Sequence, residues 1–361
     1  MLRRKIKSAG AVTLQFTGVA GVVGRCTGNT RLPLVVGYHR VVEDFAAQAH
    51  GYKPSMLTST AMLEKQLDWI GRRFAFADPD DMNDWLAGRC PEGRPVAIIT
   101  FDDGYRDVYE NALPLLKRKG IPAVVFVVTD LVGTDRLLLH DELFLLLSRA
   151  FSNWRDPGKR VRELLEEAEA GKWWPALSAE ENATPLRWKQ ALLARLPQAA
   201  LLRIIQTLRR EAIIPDDIAA GLQAMDWDML GKLRDAGICV GSHTRSHVLL
   251  TNEEPRTARE QILDSRDVLE ETLGSKVCHF AYPDGRFDES VVTAVAEAGY
   301  RFAYTTCRHR DDRFPALTIP RRLLWENACM DSAGRFSSAV MSCQVNGAFD
   351  YPAKCRMRHA A

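Results

Sequence analysis

The sequence predicts an α/β fold in which parallel strands are surrounded by helices. Short apolar runs alternate with amphipathic helical stretches along most of the 361 residues. The residues that could carry chemistry follow the carboxyl ends of predicted strands, where the active sites of β/α barrels collect. This placement favours a barrel over an open sheet.

The predicted strands and helices alternate in chain order. Strands are predicted where apolar residues run without interruption, at residues 34–38, 96–101, 123–128, 238–242 and 279–282. Helices are predicted where apolar residues recur every three or four positions, at residues 61–72, 108–119, 228–236, 255–273 and 288–298. Gly120 and Pro122 end the second helix, because glycine favours a helix C-terminus and proline cannot continue a helix.

The alternation is interrupted between about residue 134 and residue 225, where the chain is rich in Leu, Glu, Arg and Ala. Helical patterns in this segment predict an insertion into the barrel rather than a part of its catalytic core. We therefore divide the chain into an N-terminal arm at residues 1–31, a barrel at residues 32–325 that contains the insertion, and a C-terminal tail at residues 326–361.

The bulk composition bears on the partners and the compartment. The chain has 48 Lys and Arg against 46 Asp and Glu, so its net charge of +2 gives no field that would attract nucleic acid. The eight cysteines include no C-x-x-C pair, so neither a zinc knuckle nor a thioredoxin-like motif is indicated. We expect no nucleic-acid partner, and cysteine usage alone leans slightly toward a reducing compartment.

The N-terminal arm carries basic residues, Arg3, Arg4, Lys5 and Lys7, ahead of a moderately apolar stretch at residues 11–23. This order fits a signal peptide, a helix on a membrane surface or a plain arm, and the sequence leaves all three open. The stretch is too short to span a bilayer as a helix. We expect the cell envelope or periplasm ahead of the cytoplasm, with peripheral membrane contact through this arm.

Two adjacent carboxylates, Asp102 and Asp103, follow the predicted strand at residues 96–101. Adjacent residues leaving a strand point to different sides, so one carboxylate can bind a metal while its neighbour handles a proton. An Asp-Asp-Gly sequence alone is more typical of a helix cap or a turn. Its position after a buried strand, together with a histidine pair elsewhere, favours a functional site.

The histidine pair is His243 and His247, four residues apart after the predicted strand at 238–242. On a helical turn this spacing places both imidazoles on one face. The alternative is two loop histidines with ordinary hydrogen bonds. One carboxylate and two imidazoles form a three-ligand set for Zn²⁺ or a similar divalent ion, with one position open for water.

His39 directly follows the first predicted strand. A histidine at a strand end can serve as a general acid toward a leaving group. On its own it is more typical of a structural histidine. Its place at the end of the strand favours a functional role for His39 more than the residue type alone does.

Two further segments end in polar residues after short strands. Tyr282, Pro283 and Asp284 belong to a turn sequence whose functional interpretation is a backbone N–H directed at a developing oxyanion. Arg321 and Arg322 are either surface charges, or one of them orients a carboxylate through two parallel hydrogen bonds.

These motifs resemble those of the NodB-homology polysaccharide deacetylases. The Thr-Phe-Asp-Asp-Gly motif of that family is matched in full at residues 100–104, and its His-Ser/Thr-x-x-His motif at residues 243–247. The segment Tyr38-His39-Arg40-Val41 is similar to an early histidine motif of the circularly permuted members that deacetylate bacterial exopolysaccharides. The resemblance covers roughly residues 34–323.

The resemblance implies a deformed (β/α)7 barrel and the removal of acetyl groups from N-acetylated sugars. It implies that Asp103 binds a divalent metal together with His243 and His247, with Zn²⁺ as the first candidate. It also implies that Asp102 is the general base. The expected partner is an acetylated polysaccharide or oligosaccharide, either a bacterial exopolysaccharide or a cell-envelope glycan.

Two departures from the family pattern define further expectations. Ala281 stands where the family usually has an arginine that orients the base, so we expect Arg321 or Arg322 to supply the guanidinium. No late Leu-x-His motif is evident, so we expect His39 to be the general acid. The alternatives are a related metal-dependent hydrolase of another amide or an O-acetyl ester, and a carbohydrate-binding protein that has lost catalysis.

Overall fold

Parallel pairing shapes the core of the molecule. A computed structural model describes residues 9–14, 17–18, 22, 33–49, 52–89, 94–177, 183–307 and 310–349. Its strands, in chain order, are β1 (Leu34–Tyr38), β2 (Arg40–Val42), β3 (Leu57–Ser59), β4 (Ala75–Phe76), β5 (Val96–Phe101), β6 (Ala123–Val127), β7 (Cys239–Ser242), β8 (His279–Ala281), β9 (Phe302–Thr305), β10 (Ile319–Pro320) and β11 (Arg322–Leu323).

The main sheet has the order β10-β9-β8-β7-β6-β5-β1-β11, with β4 paired to the start of β5. Its ladders are parallel, and β2 and β3 form a separate parallel pair. Because Arg321 alone separates β10 from β11, one short segment joins the two ends of the sheet. Within the described residues, seven strand positions therefore surround a common axis, which confirms the predicted deformed (β/α)7 barrel.

Helices surround the sheet and also form the inserted segment. They are α1 (Phe45–Ala49), α2 (Thr60–Gly71), α3 (Met82–Leu86), α4 (Leu113–Lys119), α5 (Leu139–Ala150), α6 (Pro157–Glu167), α7 (Trp174–Leu177), α8 (Pro185–Arg195), α9 (Gln198–Glu211), α10 (Asp216–Ala220), α11 (Trp227–Asp235), α12 (Pro255–Leu273), α13 (Glu289–Glu297) and α14 (Ser338–Val345). A π-helical turn at Val108–Ala112 leads into α4. Gly120 ends α4 with a φ of 63°, a left-handed conformation that glycine adopts without steric cost.

Two hydrophobic clusters lie on opposite faces of the sheet, one inside the barrel and one between the sheet and the surrounding helices. Alternate strand residues such as Val35, Ile98 and Phe126 form an inner cluster, whereas their neighbours Val36 and Ile99 pack with the surrounding helices. Side chains on a strand alternate between its two faces, so the register of each strand fixes which polar residues at its end face inward.

The insertion has a hydrophobic core of its own, formed by α5 to α9 and centred on buried side chains such as Leu164, Trp188 and Ile204. It contacts the barrel near the histidine motif. The side-chain amide of Gln198 donates to the carbonyl of Ser246 over 2.9 Å, and the backbone N–H of Gln198 donates to Glu253 over 2.7 Å. The insertion thus forms one wall above the carboxyl ends of the strands.

The chain that follows residue 325 packs on the barrel as far as residue 349. The buried carboxylate of Glu326 accepts a hydrogen bond from the backbone N–H of Ser59 over 2.7 Å. Buried residues of α14, Val340 and Cys343, contact Ala11 in the described part of the N-terminal arm. The basic residues of the arm (Arg3, Arg4, Lys5 and Lys7) and residues 350–361 lie outside the described residues.

No helix in the described part of the chain is both long enough and apolar enough to cross a membrane.

Candidate active site

The aspartate pair lies at the carboxyl end of β5. The backbone N–H of Asp102 donates to the carbonyl of Tyr38 over 2.9 Å, which continues the pairing with β1 by one residue. Asp103 then turns sharply, with a φ of 73°, and Gly104 follows with a φ of 70°. A Cβ atom on Gly104 would lie 2.9 Å from the side chain of Val127, so glycine is required here. The turn directs the two neighbouring carboxylates to different places.

Asp103, His243 and His247 converge at the mouth of the barrel. The Oδ1 atom of Asp103 lies 3.2 Å from Nε2 of His247 and 3.6 Å from Nε2 of His243. Nitrogen and oxygen ligands of a tetrahedral Zn²⁺ lie about 3.4 Å apart, given metal–ligand bonds of about 2.0–2.2 Å. The spacing therefore matches that of a metal ligand set.

The carboxylate of Asp103 is a second feature that bears on cation binding. Both of its oxygen atoms are buried, and neither accepts a hydrogen bond from a described residue. Leaving a buried carboxylate without hydrogen bonds is costly unless a cation compensates its charge. The residues present therefore fit a divalent metal.

Different contacts position the two histidines. Nδ1 of His243 donates to the carbonyl of Ala281 over 2.7 Å, which leaves Nε2 with its lone pair directed at Asp103. Burial lowers the pKa of His243 to about 4, so its imidazole is neutral near pH 7. The backbone N–H of His247 donates to Oγ1 of Thr244 over 2.9 Å, and both residues have positive φ angles, 59° and 69°.

The electrostatics of Asp103 follow from these neighbours. Burial alone would raise the pKa of Asp103, but the facing imidazole of His247, together with His140 and His39, holds that pKa well below its ordinary value. Asp103 is therefore ionised, as a metal ligand must be.

Asp102 is held by Arg321. The guanidinium donates from Nη1 to Oδ1 over 2.6 Å and from Nη2 to Oδ2 over 2.7 Å, and both side chains are buried. Burial alone would raise the pKa of Asp102, but Arg321 and His243 outweigh burial and lower the pKa below its ordinary value. The sequence left Arg321 and Arg322 open, and the structure places Arg321 against the carboxylate. Of the two arginines, Arg321 therefore makes the paired contact that we expected of one of them.

His39 lines the same pocket as Asp102, Asp103, His243 and His247, a cavity of about 580 Å³. Burial lowers the pKa of His39, and the charges of Asp103 and Asp102 oppose that shift. Because Val35 faces inward and side chains alternate along β1, the position of His39 also faces inward.

The residues of the turn after β8 differ in whether they line the pocket. Asp284 lines the pocket with a φ of 55°, and its carboxylate pairs with Arg286 over 2.9 Å. Tyr282 is fully buried outside the lining of the pocket, and its hydroxyl donates to the carbonyl of Leu317 over 2.9 Å. Pro283 is buried beside it. Asp284 alone of the three side chains lines the pocket.

Sequence reasoning missed two residues that the insertion brings to the site. His140, in α5, has its Nε2 atom 4.0 Å from Oδ2 of Asp103 and 3.2 Å from Oδ1 of Asp141. Lys189, in α8, is buried and lines the pocket, and burial lowers its pKa to about 8. The adjacent His140 and Asp141 at the start of a helix were the one available signal, and such a pair is common in ordinary helices.

Comparison with known proteins identifies the family. The model of the family described as polysaccharide deacetylase matches residues 89–170 and 203–303. The poly-β-1,6-N-acetyl-D-glucosamine N-deacetylase of Escherichia coli K12 is 24% identical over 155 residues, which cover 42% of this chain and 22% of that protein. The matched curated relatives are aligned over 22–44% of their own length.

Solved structures show the same fold. IcaB from Ammonifex degensii superposes with a TM-score of 0.53 at 19% identity, covering 87% of this chain and 96% of that one. The Streptococcus pyogenes deacetylase PplD, in complex with acetate, superposes with a TM-score of 0.51 at 15% identity, covering 82% of this chain and 93% of that one. With the family model matching both motif-bearing halves of the barrel, the chain belongs to the polysaccharide deacetylase family, a family of hydrolases.

Proposed function

We propose that this protein is a metal-dependent hydrolase that removes acetyl groups from the N-acetylated sugars of a polysaccharide, either an exopolysaccharide or a cell-envelope glycan. One observation carries the proposal. The buried carboxylate of Asp103, without hydrogen bonds, faces two imidazole nitrogens at ligand spacing, next to a second carboxylate that Arg321 holds ionised.

Asp103, His243 and His247 would hold the metal, and Zn²⁺ is the first candidate for a set of one carboxylate and two imidazoles. When bound, such an ion lowers the pKa of its water to about 7 and polarises the acetyl carbonyl.

Asp102 is proposed as the general base. Its carboxylate is ionised near pH 7, and Arg321 fixes both of its oxygens, so its orientation does not depend on substrate. From this position it takes the proton from the attacking water. A base that is already oriented loses little entropy when it acts.

His39 is proposed as the general acid toward the departing amine. It directly follows β1 and lines the same pocket as Asp102, Asp103 and the two histidines His243 and His247. An amine leaves poorly as an anion, so a proton donor near the scissile C–N bond is needed. A backbone N–H near Asp284 is proposed to stabilise the developing oxyanion.

The N-terminal sequence and the net charge bear on the compartment and the partner. We place the protein in the cell envelope or periplasm, where an exopolysaccharide or envelope glycan would be met, with the N-terminal arm in peripheral contact with a membrane. A net charge of +2 gives no field that would attract nucleic acid.

Acetate release tests the function against its alternatives. The purified protein, with its metal content measured, is incubated with poly-N-acetylglucosamine, chitooligosaccharides and acetylated xylan. Release from the N-acetylated glycans supports the proposal, and release from xylan alone would favour the O-acetyl esterase. Stoichiometric metal without acetate release from any acetylated glycan would favour the carbohydrate-binding protein. An Asp102→Asn variant is the control for contaminating activity.

A further inference from the structure

A second group of ligand-type side chains lies at the opposite end of the barrel from the active site. We propose that Cys239, His279 and Asp80 bind a divalent metal ion that prefers sulfur and nitrogen ligands, such as Zn²⁺. The site is separate from the proposed hydrolase function, because none of its residues lines the active-site pocket.

The strands bring these residues together. Cys239 and His279 are the first residues of β7 and β8, which are adjacent in the sheet. Cys239 begins β7 and His243 directly follows its end. The two residues are four positions apart and share the inward face, a separation of about 13 Å at 3.3 Å per residue. Asp80 reaches the same end of the barrel from the turn Pro79–Asp81 after β4. Three segments distant in sequence therefore meet there.

The distances match those of metal ligands. Oδ1 of Asp80 lies 3.1 Å from Nε2 of His279, and Oδ2 of Asp80 lies 3.8 Å from Sγ of Cys239. All three donors lie within 4.8 Å of one another. Around a tetrahedral Zn²⁺, nitrogen–oxygen pairs are about 3.4 Å apart and sulfur–oxygen pairs about 3.6 Å. Both measured distances lie within about 0.3 Å of these tetrahedral values.

The imidazole is oriented as a metal-binding imidazole usually is. Nδ1 of His279 forms a 3.0 Å hydrogen bond with the hydroxyl of Tyr304, and Nε2 points at Asp80. A fixed contact at one ring nitrogen sets the tautomer and direction of the other. His279 is 2% exposed and Asp80 is 56% exposed, so the ion would have protein on one side and solvent at its open position.

An ion at this site would fasten the turn at Asp80 to β7 and β8. At the amino-terminal end of the strands such a tie acts on stability rather than on catalysis.

Cobalt substitution of the full-length protein tests the proposal, because the active-site ligands include no sulfur. We expect two equivalents of Co²⁺ in the wild-type protein and a near-ultraviolet charge-transfer band from a thiolate ligand. The Cys239→Ser variant should bind one equivalent and lose the band, whereas the matched control Cys278→Ser should keep both. Asp80→Asn, at an exposed position that folding tolerates, should weaken the second equivalent at least tenfold.

The Asp103→Asn variant separates the two proposals. It should lose the active-site ion and the hydrolase activity yet retain the thiolate band. One equivalent without a band in the wild-type protein would overturn the second site and leave the hydrolase proposal intact. A band that persists in Cys239→Ser would also overturn it.

Discussion

Replacing Arg321 by Met should remove the contacts that fix the orientation and charge of Asp102, the proposed general base. The two hydrogen bonds of 2.6 and 2.7 Å disappear, and Asp102 is left in a buried place without its counter-charge. Breaking a buried ion pair by removing one partner costs about 3–5 kcal/mol of folding stability. That is a large part of the roughly 5–15 kcal/mol that stabilises a typical domain.

Part of that cost is relieved by protonation of Asp102. In the wild-type protein the lowered pKa of Asp102 contributes stability above the unfolded-state pKa, and the contribution is lost as pH falls through the folded-state pKa. Without Arg321, burial dominates and the pKa of Asp102 rises. The base is then protonated over part of the working pH range, and kcat should fall most at low pH and recover as pH increases.

The assay is kcat for acetate release between pH 5 and 9, together with urea denaturation. Near pH 6 we expect kcat of Arg321→Met to fall toward the loss of about 10²–10⁴-fold that removal of a general base causes. Arg321→Lys keeps the charge without the two-pronged geometry and should give an intermediate result. Arg322→Ala, at the next position of the same strand segment, is the control and should resemble the wild type. A folded Arg321→Met protein with wild-type kcat and an unchanged pH profile would refute the reasoning.

The remaining predictions concern the other residues of the site. Asp102→Asn should keep its metal and lose about 10²–10⁴-fold in kcat. Asp103→Asn should lose the metal as well, as measured by elemental analysis. Equal metal content in the two variants would contradict these roles. His39→Gln should lower kcat by about 10²-fold or more for an N-acetylated substrate, with less effect on an activated ester whose leaving group needs no proton; identical losses on both substrates would count against a general acid. His140→Asn should weaken metal binding by about 10–100-fold, detected by competition with a chelator; unchanged affinity would show that its proximity to Asp103 is incidental. Gly104→Ala, strained at a φ of 70° and against Val127, should destabilise the protein by about 1–3 kcal/mol in urea denaturation, and a wild-type midpoint would contradict the described turn.

Sequence patterns anticipated the residues at strand ends because those positions depend on short-range features. A buried strand followed by Asp102 and Asp103, or by His243, gives a direction for each side chain once the strands are parallel. The choice between Arg321 and Arg322 could not be made from short-range features of the sequence. Only the register of the last strand segment against its neighbours decides which of two adjacent arginines faces inward.

Sequence patterns did not predict the residues that the insertion contributes to the site. Which face of α5 or α8 lies over the pocket depends on how the insertion packs, and His140 and Lys189 occupy ordinary helical positions in sequence. The turn at Asp80 is similar, since its link to β7 and β8 joins residues that are 159 and 199 positions apart. Contacts over such separations follow from tertiary structure alone.

The break in the last strand, between β10 and β11, gives this ring of strands a point of failure. β10 pairs with β9 through two residues, and β11 pairs with β1 through two residues. Arg321, whose guanidinium holds the carboxylate of Asp102, lies between β10 and β11. Any fluctuation that parts the two halves also withdraws the arginine. Turnover in this protein should therefore cease before the fold is lost. Heat or denaturant should abolish activity while most of the secondary structure persists.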